Sequence, residues 1–250
     1  MNRMERRNLR KDKNLIKELY SIVSKYLPEL LNMFGNLSDS RNQSYITYSM
    51  KTICITRLFP LLCGLTTMTD ISSNKFDSDY CIKNLSKICN QNLKKLPYWE
   101  TIQDVFINIK TDELRNIQKY IVKALIRSKM FDKYKYNGYF QLIVDGTGLS
   151  SHNYNLNNNC IRKKFKDGKV IYCRYILECK LVVGNIVISL DSEWIENIDN
   201  LNDKQKQDCE IKAFKRMAER IKKNYPKQKF IITADALYCT SPMINICKKK

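Results

Sequence analysis

Histidine is almost missing from this chain of 250 residues: His152 stands alone. A zinc centre built on histidine has no second ligand to draw on, and no C-x-x-C pair offers the usual thiolate alternative. Hydrolysis through a histidine base would rest on that one side chain, so serine and cysteine hydrolases are set aside. No apolar run comes near the roughly 20 residues of a membrane helix; Leu58 to Leu65 is the longest and contains Pro60 and Gly64. The first residues, Met1 to Lys13, are basic but lead into a charged, amphipathic segment, unlike a secretory signal. There is no internal repeat and no long Gly/Ser linker. These absences lead us to expect a soluble, cytoplasmic protein without a membrane partner. The ten cysteines are scattered in a chain too large to need covalent staples, and they are read as reduced thiols.

Acidic residues are also in deficit. Lys and Arg number 44 against 25 Asp and Glu, for a formal charge of +19. A field of that sign attracts polyanions and gives salt-dependent binding to nucleic acid. Part of the lysine excess has a duller source, because the chain is crowded with Asn, Ile and Lys, as AT-rich coding sequence tends to produce. Hydrophobic residues make up 44%, enough to build a core in one large or two ordinary domains.

The first half reads as helices. Leu15, Leu19, Ile22 and Tyr26 recur at the spacing of one helical face, and Pro28 closes that element. A second apolar segment runs from Tyr45 to Leu65. Ile102, Val105, Phe106 and Ile109 mark a short helix, and Leu114, Ile117, Ile121 and Leu125 another, with Thr111 as its N-cap. Arg6, Arg7 and Arg10, with neighbouring basic residues, are expected to precede the first helix as an arm able to follow phosphates.

The pattern changes between Tyr134 and Gly138. Strands are expected at Phe140–Asp145, Lys169–Val183 and Ile186–Leu190, the last two joined by a tight Gly184-Asn185 hairpin. A helix over Asp203–Asn224 turns Ile211, Phe214, Ala218 and Ile221 inward. Phe230–Ala234 is a fourth strand, and Ser241-Pro242 opens a last helix. The order is β-β-β-α-β-α, an α/β class with a mixed sheet, in which ligands gather at the carboxyl ends of strands. Two apolar strands run straight into aspartates, Asp145 and Asp235, ninety positions apart. Such a pair, set side by side, can share a divalent cation.

The motifs Asp145-Gly-Thr-Gly, Ser192-Glu-Trp-Ile-Glu-Asn, Lys206-Gln-Asp-Cys-Glu-Ile-Lys-Ala-Phe-Lys-Arg and Asp235-Ala-Leu-Tyr, in this order, resemble the DDE transposases of bacterial insertion sequences. More loosely, the stretch from Asp39-Ser-Arg41 to Tyr139 resembles the amino-terminal region of that family. The resemblance implies a helical DNA-binding region over residues 1–135 and an RNase H-like catalytic domain over residues 136–250. It further implies Mg2+ or Mn2+ as cofactor, no small-molecule cofactor, and DNA as partner, both element ends and target. A nucleoid-associated location follows, and a homodimer is left open. Asp145 and Asp235 correspond to the first two acids of the triad.

The third acid of that family, a glutamate well beyond the second aspartate, has no counterpart before Lys250. The expectation is therefore a truncated catalytic domain, inactive as it stands, with one sheet edge unprotected and poor solubility. RNase H enzymes place a metal-binding glutamate on the helix before the fourth strand, where this chain has Glu210. A nuclease completed by Glu210 is the alternative reading, and a non-catalytic DNA-binding remnant a third. Glu193 and Glu196 are weaker candidates for the metal. Contacts to the DNA backbone are expected from Arg162, Lys163, Lys164 and Lys166 in a loop after the first strand and from Arg174 on the second. Tyr154, Phe165 and Tyr172 are candidates for stacking on an unpaired base.

Overall fold

The computed structural model describes residues 3–72, 76, 78–157, 159–197 and 207–248, without the side chains of residues 3, 5–14, 71 and 72. The chain divides into two compact units, Met1–Ala124 and Leu125–Lys250, a break somewhat earlier than the change of pattern at Tyr134 to Gly138.

The first unit is helical. Its helices are α1 (Arg3–Tyr26), α2 (Leu30–Gly35), α3 (Met50–Leu62), α4 (Asp79–Cys89), α5 (Trp99–Ile107) and α6 (Thr111–Arg127), the last running three residues into the second unit. Helix α3 is apolar around most of its circumference, and Ile53, Ile55 and Phe59 are fully buried, as a central helix requires. Ser49 caps it by accepting from the Thr52 amide, and Pro60, in its last turn, removes one i→i−4 bond close to where the helix ends. Helix α1 begins at Arg3, so Arg6, Arg7 and Arg10 lie within its first turns and not on an arm before it; their side chains fall outside the described residues. The buried face of α1 is Ile16 and Val23, with Leu19 and Leu27 partly buried, whereas Leu15, Ile22 and Tyr26 are exposed. The stripe expected from Leu15, Ile22 and Tyr26 is thus rotated by one residue, because Ile16 and Val23 offer a second face of the same period. Arg41 clamps Asp39 with both ends of its guanidinium, at 2.9 and 2.7 Å, and also donates to the Tyr48 carbonyl. That pairing holds the Asp39 carboxyl below its ordinary value.

The second unit is a mixed sheet carrying helices. It consists of β1 (Phe140–His152), β2 (Ile161–Lys164), β3 (Val170–Val183), β4 (Ile186–Ile195), α7 (Glu210–Asn224), β5 (Phe230–Ala234) and α8 (Ser241–Lys248). β3 is the long central strand. It pairs antiparallel with β1 along one edge, and with β2 and then β4 along the other. β5 adds to the far side of β1 in parallel, and among the described residues no strand covers its outer edge. The β3–β4 connection is the expected two-residue turn, with Gly184 at φ +63°. Any side chain there would also meet the ring of Tyr134.

Three expectations are corrected here. β1 does not stop at Asp145 but continues to His152, because β3 is long enough to pair with all of it. β4 runs on to Ile195 for the same reason. Arg162, Lys163 and Lys164 form a strand, not a loop. Of the helix expected over Asp203–Asn224, residues 203–206 lie outside the described set and α7 starts at Glu210.

Helix α7 covers one face of the sheet through Ala213, Phe214, Met217, Ala218 and Ile221. It is fixed at the side by a charge network. Arg220 grips both oxygens of buried Asp191 at 2.8 and 3.1 Å and reaches Glu193 at 2.7 Å. Arg216 joins Glu193 at 2.8 Å to Asp208 at 2.7 Å. All ten cysteines are free thiols, and burial pushes those of Cys54 and Cys179 up to about 12. Among the described residues, no helix is long and apolar enough to cross a membrane.

Candidate active site

The parallel register of β1 and β5 sets Val144 opposite Ala234. That is the last pair of the ladder, where backbones run about 4.8 Å apart; Asp145 follows within β1, and Asp235 follows just past β5 with extended geometry at φ −69°, ψ 168°. Alternation fixes which way they face. Leu142, Val144 and Ile232 line one cavity with Phe214 and Ile221 of α7. Gln141 and Thr233 belong to the opposite set and are hydrogen-bonded to each other at 3.1 Å. Asp145 falls on that opposite face, whereas Asp235, just past the end of β5, borders a second cavity with Phe214, Tyr238 and Met243; both aspartates are exposed. One carboxylate oxygen of Asp235 accepts from the Leu237 amide, which caps the 3-10 turn Ala236–Tyr238.

Glu210 approaches from the helix side. As the first residue of α7 it lies against Gly146, where a Cβ would overlap its Oε1. Its other oxygen accepts from the hydroxyl of Tyr238. Tyr238 is buried, edge-on to Phe214. Its hydroxyl is pushed well above its ordinary value, first by burial, then by the bond to Glu210 and by the negative charge of Glu210, Asp145 and Asp235. Of the three acids, Glu210 touches the phenol, and its carboxylate lies against the bare backbone of Gly146, the residue after Asp145.

Carboxylate oxygens are the donors that Mg2+ or Mn2+ prefers, and Mg2+ needs only one or two of them because it keeps waters and takes the rest from a substrate phosphate. The aspartate pair fits that demand. Among the described residues no three His, Cys, Asp or Glu side chains already enclose a common point, which agrees with Glu210 lying across the strand from the pair.

Other expected residues are placed differently. Glu193 is committed to Arg216 and Arg220 and is not available to a metal. Glu196 is exposed beyond the end of β4. Lys163 donates to the Tyr175 hydroxyl and lies over its ring, a pairing that raises its own value. Arg174 lies over the indole of Trp194, 5.0 Å from the ring centroid. The backbone of Arg162 is held on both sides by the Gln207 amide, at 2.6 and 2.7 Å. Gln207 also meets Asn197, so the ends of β4 and α7 are clasped to β2. Tyr154 packs on His152, Phe165 is exposed in the β2–β3 turn, and Tyr172 is half-buried.

Gly146, Tyr238 and Trp194 were not singled out by the sequence reading, although all three lie inside its motifs. The signal was present: a glycine directly after Asp145, and aromatics at fixed offsets from the acids. Comparison with protein-family models, with the curated proteins and with the solved structures found no match.

Proposed function

We propose that this chain is a metal-dependent DNA strand-cleaving and strand-transferring enzyme of the DDE transposase type, its second unit RNase H-like. The observation that carries the reading is the parallel register of β1 and β5, whose last pair, Val144 and Ala234, is followed in each chain segment by an aspartate, Asp145 and Asp235. Their carboxylates would hold Mg2+ or Mn2+. That ion, when bound, activates the attacking oxygen and stabilises the leaving one in phosphoryl transfer. The rest falls to the chain itself. Gly146 leaves room beside the acids, Tyr238 fixes the carboxylate of Glu210, and the Arg216–Asp208 pair pins the start of α7. Arg162, Lys163, Lys164 and Arg174 supply positive charge for the phosphate backbone, which positions DNA without reading its bases. The first unit, with Arg6, Arg7 and Arg10, is the DNA-binding half of this proposal.

A second reading is favoured by one observation, the carboxylate of Glu210 held against Gly146 by Tyr238. On it, the chain is a nuclease whose third acid is Glu210. Incubation with supercoiled plasmid in Mg2+ or Mn2+ tests both. The enzymatic readings require, against the expectation of inactivity drawn from the missing third acid, that the unsubstituted chain cleaves and that Asp145→Asn and Asp235→Asn reduce cleavage by about a hundredfold or more, as for loss of a group that acts only in the transition state. Loss in Glu210→Gln as well selects the nuclease; retention leaves the aspartate pair sufficient. No cleavage, or cleavage by both aspartate variants as strong as that of the unsubstituted chain, contradicts the enzymatic readings.

A further inference from the structure

The sheet face that carries Asp145 also carries a guanidinium set over an aromatic ring. Asp145 pairs with Glu178, and Thr147 with Ile176. Alternation along β3 then puts Arg174 on the same face as Glu178 and Ile176. Trp194 joins them, because it pairs with Ile176 from the other side. In β2, Arg162 pairs with Tyr172 and Lys164 with Val170, so both belong to this face too. The odd positions of β3, Cys173, Leu177, Cys179 and Leu181, are buried on the opposite face.

Trp194 is half-buried and Arg174 exposed above it, with the guanidinium 5.0 Å from the centroid of the indole ring. The indole thus lies beneath the guanidinium of an arginine that is open to solvent. A guanidinium plane in that position stacks on a nucleobase, and its N–H edge can bond a phosphate in the same complex. Only an unpaired base offers a free face; in a duplex both faces are covered by neighbours. Four residues of strand at about 3.3 Å each, and one strand spacing, place Arg174 on the order of 14 Å from Asp145. That is a few nucleotides at the roughly 3.4 Å rise of a stacked strand.

We propose that Arg174, positioned by Trp194, stacks on an unpaired base of the DNA strand a few nucleotides from the phosphate held at Asp145 and Asp235. The site therefore takes single-stranded or locally opened DNA there. The inference rests on the DNA-processing reading above and adds the state of the strand and the residue that senses it. It also moves stacking from Tyr154, Phe165 and Tyr172 to the Arg174–Trp194 step.

Fluorescence anisotropy on the full 250-residue chain, with one labelled oligodeoxynucleotide offered as a single strand and as a duplex, tests it. Arg174→Lys keeps the charge and removes the plane. It is expected to weaken single-strand binding about 5- to 100-fold, the range of one base stack, and duplex binding less than about threefold. Trp194→Ala should do the same, while Trp194→Phe, which keeps a ring under the guanidinium, should bind close to wild type. A thermal melt within a few degrees of wild type establishes that each variant is folded. Single-strand binding by Arg174→Lys equal to wild type, or an equal loss on both DNA forms, overturns the inference and leaves the aspartate site untouched. Failure of the wild-type chain to bind either DNA form removes the DNA reading and this inference with it.

Discussion

At Gly146 a single methyl group decides whether Glu210 can keep its position. A Cβ there would overlap Oε1 of Glu210, while the other oxygen is fixed by Tyr238. The carboxylate cannot yield without breaking that bond or swinging the first turn of α7. Gly146→Ala is therefore expected to weaken Mn2+ binding by roughly tenfold if Glu210 orients the site, the size of effect seen when groups supporting metal ligands are lost. The chain should remain folded, since Gly146 has no unusual backbone angle to protect. Calorimetric titration with Mn2+ checks this, and unchanged affinity would mean that Glu210 takes no part. Asp145 and Asp235 were legible as candidates because each ends an apolar run. Which face they share, and what touches Glu210, were not, since those depend on the pairing of strands ninety positions apart in the chain.

At the level of elements, α7 is held by more than its apolar stripe. Asp191 is buried and both its oxygens are bound by Arg220. Arg220→Leu would leave the buried Asp191 carboxylate without a cation, beside a Glu193 still held by Arg216, at a cost of roughly 3 kcal/mol. Urea unfolding measures it; a loss under about 1 kcal/mol would mean that solvent screens the network. The clamp between Asp39 and Arg41 in the first unit gives a pH dependence of known sign. The folded Asp39 carboxyl titrates below its unfolded value of about 3.9. Its contribution is thus complete above about pH 4 and is lost as pH falls through the folded value. Wild type should exceed Arg41→Ala in stability by about 1 to 3 kcal/mol at neutral pH, and this margin should shrink below pH 4. A margin independent of pH would contradict the assignment. Helix α7 was readable from its 3.6-residue period, and Phe214, Ala218 and Ile221 are indeed buried. β2 was not, because Arg162, Lys163 and Lys164 are all exposed and show no alternation, as edge strands commonly do. The extension of β1 past Asp145 was hidden by Gly146, Gly148 and two serines, which break the apolar run and pair because β3 lies beside them.

For the molecule as a whole, the division into a helical unit and a mixed α/β unit was visible in the change of period, two against 3.6. The charge of +19 has a local counterpart on the second unit, where Arg162, Lys164 and Arg174 share a sheet face with Asp145. The account depends on one property of that unit: the two aspartates act on a single ion together. Titration of Mn2+ by isothermal calorimetry into wild type, Asp145→Asn, Asp235→Asn and the double variant measures it. Each single change should weaken binding by about tenfold or more, and the double change should cost no more than the worse single, because residues that act as one unit are not additive. Wild-type affinity in both single variants, or a double loss equal to the product of two independent ones, would contradict the account.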